Sequence, residues 1–172
     1  MNDHKGMRPH DIAILLKIVL LSNENKPWQY RDLSVALDIS LSEISQSLRR
    51  SAFSGLYQED RKKVFRQRLY EFLQFGLPYT FPVNPGSLVT GIKTAHSHPY
   101  FREKLISSQE LVWPYEDGDT RGQAIKPLYP GVPAAIQKDE IFYKMLASID
   151  ILRVGQAREI LIAKEELEKS IL

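Results

Sequence analysis

Residues 32–57 read "DLSVALDISLSEISQSLRRSAFSGLY", and their pattern decides the fold. Leu33 and Leu37 stand at helical spacing and close a helix over Gln29 to Leu37. Asp38-Ile39-Ser40 interrupts it. Ser40 and Glu43 then give an S-x-x-E capping box, in which each side chain is expected to satisfy a free backbone N–H, with Ile39 and Ile44 placed as a hydrophobic staple. These signals predict a second helix from Leu41 to about Phe53, stopped by Gly55.

A short helix, a tight turn and a second helix locked by Leu33, Leu37, Ile39, Ile44 and Leu48 have the layout of a helix-turn-helix. The outward face follows from the period. Ser42, Ser45, Gln46 and Arg49 stand at i, i+3, i+4 and i+7 and form one stripe opposite the apolar set. Glutamine pairs with adenine and arginine with guanine in the major groove, so these four are the candidate base-reading residues. Arg50 flanks the stripe and suits a phosphate.

The surrounding charge supports a polyanion partner. Residues 49–68 hold seven Arg and Lys against Glu59 and Asp60, a net +5 in a chain of net +2, so the remainder is −3. Such a local cluster is the footprint of a nucleic-acid-binding face. Arg61, Lys62, Lys63 and Arg66 join Arg50 as candidate phosphate-binding residues, and Arg68 extends the cluster. Only "QEDRKK" separates Tyr57 from Val64, so any wing hairpin is very short.

The stretch resembles the helix-turn-helix of bacterial winged-helix transcription regulators, such as the multiple-antibiotic-resistance regulator group. Ser34 stands where that pattern has alanine and Asp38 where it has glycine. Aspartate tolerates the left-handed conformation better than most residues, which keeps the turn open to it. The resemblance implies a double-stranded DNA partner, a homodimer and an inverted-repeat operator. The later chain is similar to bacterial regulators of unassigned function, through Phe81-Pro82, Gly86, Gly91, Thr94-Ala95-His96, Arg121-Gly122-Gln123-Ala124 and Pro127-Leu128-Tyr129-Pro130. Antitoxins encoded beside nucleotidyltransferase-like toxins have a broadly similar layout, which raises a toxin or other protein as an alternative partner.

Working outward, the expected fold class is α+β: an N-terminal winged helix-turn-helix, a middle Pro/Gly-rich region with short strands, and C-terminal helices. Residues 1–7 read as a disordered start. Asp11 to Leu21 is a helix apolar almost all round, so it is buried on several sides or contributes to a dimer. Val64 to Phe75 is a further helix. From Tyr79 to Pro133 the prolines and glycines gather, with "YTFPV", "SLVTGI" and "ELVWPY" as short strands. Helical pattern returns over Asp139 to Leu152, breaks at Gly155 and resumes to the end, giving a second candidate dimer surface. The division reads as 8–76, DNA binding, and 77–172, an extension for effector binding or dimerisation.

Other classes have weaker support. The chain has 172 residues and no cysteine, which removes disulfide scaffolds and thiolate zinc sites. The apolar run at 12–21 is interrupted by Lys17 and is too short to span a bilayer. A cytoplasmic protein is therefore expected. His96 and His98 with Glu116, Asp117 and Asp119 are the materials for a metal-dependent enzyme, but their spacing matches no ligand motif, and no phosphate loop or nucleophile elbow is present. No enzyme and no cofactor is expected. Trp113, Tyr115 and Tyr129 sit among prolines as candidate walls of a small-molecule effector pocket. Two further readings remain: an ordinary helical pair, and an adaptor whose Ser42/Ser45/Gln46/Arg49 face meets a protein.

Overall fold

A computed structural model describes residues 6–172; residues 1–5 of the expected disordered start lie outside it. The architecture is α+β, with helices first, small sheets in the middle and two long helices last. Helix α1 spans Pro9–Asn23, with proline at a first-turn position where its missing N–H costs nothing. Its residues from Asp11 to Leu16 and from Ile18 to Leu20 are all buried, as a helix apolar on every side requires. The covering comes from this chain itself, because α1 packs against the elements on both sides of residue 76. One continuous core runs from Ile12 to Ile171.

Helices α2 (Tyr30–Leu37) and α3 (Leu41–Phe53) meet at Asp38. Asp38 adopts the left-handed conformation, φ 55° and ψ 47°, as the turn demands. Ser34 gives its hydroxyl to the Ile39 carbonyl at 2.6 Å and ties the turn to α2. The lock is as expected: Leu33, Leu37, Ile44 and Leu48 are fully buried and Ile39 packs at the margin.

Strands β1 (Tyr57–Gln58) and β2 (Lys63–Val64) pair antiparallel as a minimal wing. Their four-residue loop has Lys62 at φ 49°, a left-handed residue that returns the chain into register. Val64 is therefore a strand residue, and α4 begins later than expected, at Arg66–Phe75.

"YTFPV" is not a strand. Leu77–Thr80 forms a helical turn, α5, because Tyr79, Thr80 and Phe81 send their N–H groups back to Gly76 and Leu77. The other two expected strands are present, as β3 (Leu88–Lys93) and β4 (Leu111–Pro114). Between them lie a 3-10 turn, Ala95–Ser97, and the single turn α6, Pro99–Arg102. A third strand, β5 (Thr120–Ala124), was not expected. β3 pairs antiparallel with β4 through Ile92↔Trp113 and with β5 through Val89↔Gly122. β4 and β5 pair in parallel through Leu111↔Gln123, so the three strands close on themselves. The closure is tight at Gly91, which faces both Pro114 and Thr120; a Cβ there would lie 2.0 Å from the Trp113 carbonyl oxygen. Only glycine permits that approach.

A short turn, α7 (Val132–Ala135), leads into α8 (Glu140–Val154) and α9 (Ala157–Ile171). α8 carries Asp150, which holds the barrel in place. Its carboxylate accepts from Thr94 Oγ1 at 2.7 Å, Trp113 Nε1 at 2.6 Å and Arg153 Nη1 at 3.0 Å. Burial pushes the Asp150 carboxyl up, against the pull of Arg153 and the two neutral donors. Among the described residues no helix is long and apolar enough to cross a membrane.

Candidate nucleic-acid interface

α3 sorts its residues by face. Ser42, Gln46 and Arg49 are exposed and Ser45 is half-buried. Gln46 Nε2 donates to Ser42 Oγ at 3.2 Å, which holds two of the stripe's polar groups together. The helix start is half of the expected box. Ser40 Oγ accepts from the Glu43 N–H at 3.2 Å, but the Glu43 carboxylate turns away from the cap. It lies 2.5 Å from Arg50 Nη2 and 2.7 Å from His10 Nε2. A guanidinium is a stronger partner for a carboxylate than a neutral amide N–H.

Arg50 is the main correction among the candidate residues. It does not stand free for a phosphate. Its guanidinium is buried, giving Nε–H to Asp11 Oδ2 at 2.9 Å and Nη2–H to Asp11 Oδ1 at 2.7 Å, and reaching Glu43 as well. Asp11 is itself fully buried and also accepts the Arg8 N–H at 2.8 Å, capping α1. The hydrogen bond to Asp11 raises the Arg50 guanidinium further above its ordinary range. For Glu43, burial pushes the carboxyl up, but the bonds to Arg50 and His10 outweigh it and hold the group below the usual carboxylate range. Asp11, buried among apolar neighbours, was missed in the sequence; an acid at the start of an otherwise apolar helix was its only signal. The i, i+7 spacing of Glu43 and Arg50 on one face was the other half.

The remaining cations lie along the wing and α4. Arg61 and Lys63 are exposed. Lys62 Nζ sits over the Trp28 ring at 5.4 Å, and Trp28 stacks on Tyr30 at 6.4 Å. Arg66 is half-buried and gives one N–H to the Ile171 carbonyl at 3.1 Å, leaving its other donors uncommitted. Arg68 is exposed, bonded to the Gly55 carbonyl at 3.0 Å and lying over Phe65. The structure thus keeps Arg49, Arg61, Lys62 and Lys63 outward and removes Arg50 from the set.

His10, Asp11 and Glu43 bring ligand atoms within 4.8 Å of one another, a spacing that suits a metal ion. The Arg50 guanidinium already supplies the positive charge there, so a metal would have to displace it. His96 and His98, whose spacing matches no ligand motif, have separate partners. His96 Nε2 lies 2.8 Å from the Gln109 carbonyl, whereas His98 is buried with Nδ1 accepting the Tyr100 N–H at 3.2 Å and its ring 4.2 Å from that of Tyr143. Trp113, Tyr115 and Tyr129 also part company: Trp113 is core, Tyr115 is at the surface, and Tyr129 is buried beside the Asp38 turn. No family model, curated protein or solved structure matches this chain.

Two measurements check these arrangements. Arg50→Met leaves the buried Asp11 carboxylate without its counter-charge and should destabilise the chain by about 3–5 kcal/mol in urea melts. Adding Asp11→Asn should recover part of that, since the stranded charge is then gone. A loss below about 1 kcal/mol would show the pair to be incidental. His98 supplies a pH dependence. Burial first, and Lys144 second, push the imidazole down to about 4. The unfolded chain therefore binds this proton between pH 6.5 and 4 while the folded chain does not, so stability is complete above about 6.5 and declines as pH falls to 4. Melts at pH 7, 5.5 and 4.5 should show that slope in the wild type and a flatter one in His98→Gln. Equal slopes would contradict the assignment.

Proposed function

We propose that this protein is a sequence-specific DNA-binding transcriptional regulator of the cytoplasm. The observation that carries the reading is the exposed stripe Ser42, Gln46 and Arg49 on a helix whose opposite face is fully buried, followed at once by a hairpin with outward cations. A rigid helix presenting short hydrogen-bonding side chains suits the major groove, and Arg61, Lys62 and Lys63 suit the flanking phosphates. Ser45, half-buried, lies at the edge of the reading stripe. One such helix covers few base pairs, so the reading includes a homodimer on an inverted repeat. α1 is covered within its own chain, and exposed Ile141 and Leu161 support the C-terminal helices, 139–171, as the pairing surface of this reading.

A second reading has one observation in its favour. Val35, Leu41 and Phe53 leave apolar surface exposed on α2 and α3. A protein partner, such as a toxin, would cover that surface where DNA would not.

Fluorescence anisotropy on genomic duplexes at several salt concentrations tests the proposal. Affinity should fall steeply with salt, because the bound Arg and Lys side chains release the counterions condensed on the phosphates. Lys62→Ala with Lys63→Ala should weaken binding to all sequences and flatten the slope. Arg49→Ala should leave the melting temperature nearly unchanged yet cost specific binding about 1–3 kcal/mol. No duplex binding by the wild type at low salt would overturn the proposal.

A further inference from the structure

A cavity of about 540 Å³ opens at the foot of the wing. Arg61, Lys62, Lys63 and Arg66 form its walls together with Leu172, the last described residue, and among the described residues no Asp or Glu lines it. Its floor is apolar: Ile18 and Val19 of α1 and Val64 of β2 are all buried in the core. Ser22, exposed at the end of α1, stands at the rim.

Four like charges around one concavity repel each other, and a partner of opposite charge would relieve that. Among the described residues, neither Arg61 nor Lys63 forms an ion pair. α4, whose N-terminus adjoins the cavity, has no side-chain cap and no acid in its first turn. Helix N-termini favour negative charge, so this end adds to the same preference. Two other cavities differ. Between α1 and the segment before α8 the charges are already matched, Lys17 with Asp139 at 2.5 Å and Lys26 with Glu24 at 2.6 Å. Beside the turn from β4 to β5 the lining is acidic, with Asp117, Asp119 and Glu140.

We propose that the cavity at the foot of the wing binds a small amphipathic organic anion, its charged head among Arg61, Lys63 and Arg66 and its apolar body against Ile18, Val19 and Val64. The volume fits a ligand of one or two rings. The proposal has a regulatory consequence, which rests on the DNA-binding reading. Arg61, Lys62 and Lys63 are the cations offered to phosphate there, so an occupied cavity withdraws them from the duplex. The chemistry is that of an inducer, in a place unrelated to the aromatic residues of the middle region.

The test titrates the full chain calorimetrically with 1-naphthoate, using neutral 1-naphthamide and inorganic phosphate as comparators. Three proteins are compared: wild type, Arg61→Ala with Lys63→Ala, and Ser22→Trp, all at exposed positions. Wild type should bind one 1-naphthoate per chain and each comparator at least tenfold more weakly. The double variant should lose at least tenfold by removing charge. Ser22→Trp should lose as much by filling the mouth with every cation kept. Absence of 1:1 binding, equal binding of 1-naphthamide or phosphate, or unchanged affinity in Ser22→Trp would each overturn the site. A second arm repeats duplex binding at saturating 1-naphthoate, where the DNA Kd should rise at least fivefold for wild type and stay constant for Ser22→Trp. An unchanged wild-type DNA Kd would overturn the coupling while leaving DNA binding intact. Naphthoate binding by a chain that binds no duplex would leave the site standing and remove the DNA reading.

Discussion

The buried pair between Asp11 and Arg50 is the constraint on which the rest depends. Arg50 lies on the inner side of α3, and Asp11 is the first buried residue of α1. A two-pronged guanidinium–carboxylate contact fixes orientation as well as distance. It sets how α3 is rotated about its own axis, and so which residues face outward. With Ile44, Ser47, Leu48 and Ser51 buried and Arg50 held at the flank of that face, Ser42, Gln46 and Arg49 point away from the core. Glu43 completes the arrangement by closing on Arg50 and His10 instead of on its own helix cap.

α1 transmits that orientation to the whole molecule. It lies in the core shared by the helix-turn-helix and by α8 and α9, so the expected two-part division at residue 76 does not separate two cores. The later region reaches back in a second place. Tyr129, Pro130 and Gly131 lie against the Asp38-Ile39-Ser40 turn across a cavity of about 370 Å³. On α8, Asp150 binds Thr94 and Trp113 and so fixes the small barrel to the same core. A change anywhere along this chain of contacts has a physical route to the outward face of α3.

Legibility in the sequence followed the range of the interactions. α3 was legible from Leu41 to about Phe53 because its signals are local: a serine cap, a hydrophobic staple and a stopping glycine all lie between Ile39 and Gly55. The left-handed Asp38 was legible for the same reason. Arg50 was misread because its partner lies 39 residues away and because an arginine beside an exposed arginine has no local mark of burial. "YTFPV" has strand composition, yet Gly76 and Leu77 capture its N–H groups locally. β5 was missed because "TRGQA" has no apolar alternation; it is a strand because β3 and β4 both pair with it, and Gly91 and Gly122 allow the approach. The wing was legible only as a length limit.

The account's central claim is that α3 reads bases, and selection from a pool of randomised duplexes tests it most directly. The wild-type chain is bound to the pool at moderate salt, and the retained sequences are amplified and read over successive rounds. The account predicts enrichment of an inverted repeat whose half-sites lie about one helical turn apart, as two α3 helices in successive major grooves require. A pool retained without enrichment of any sequence would contradict base reading by this helix.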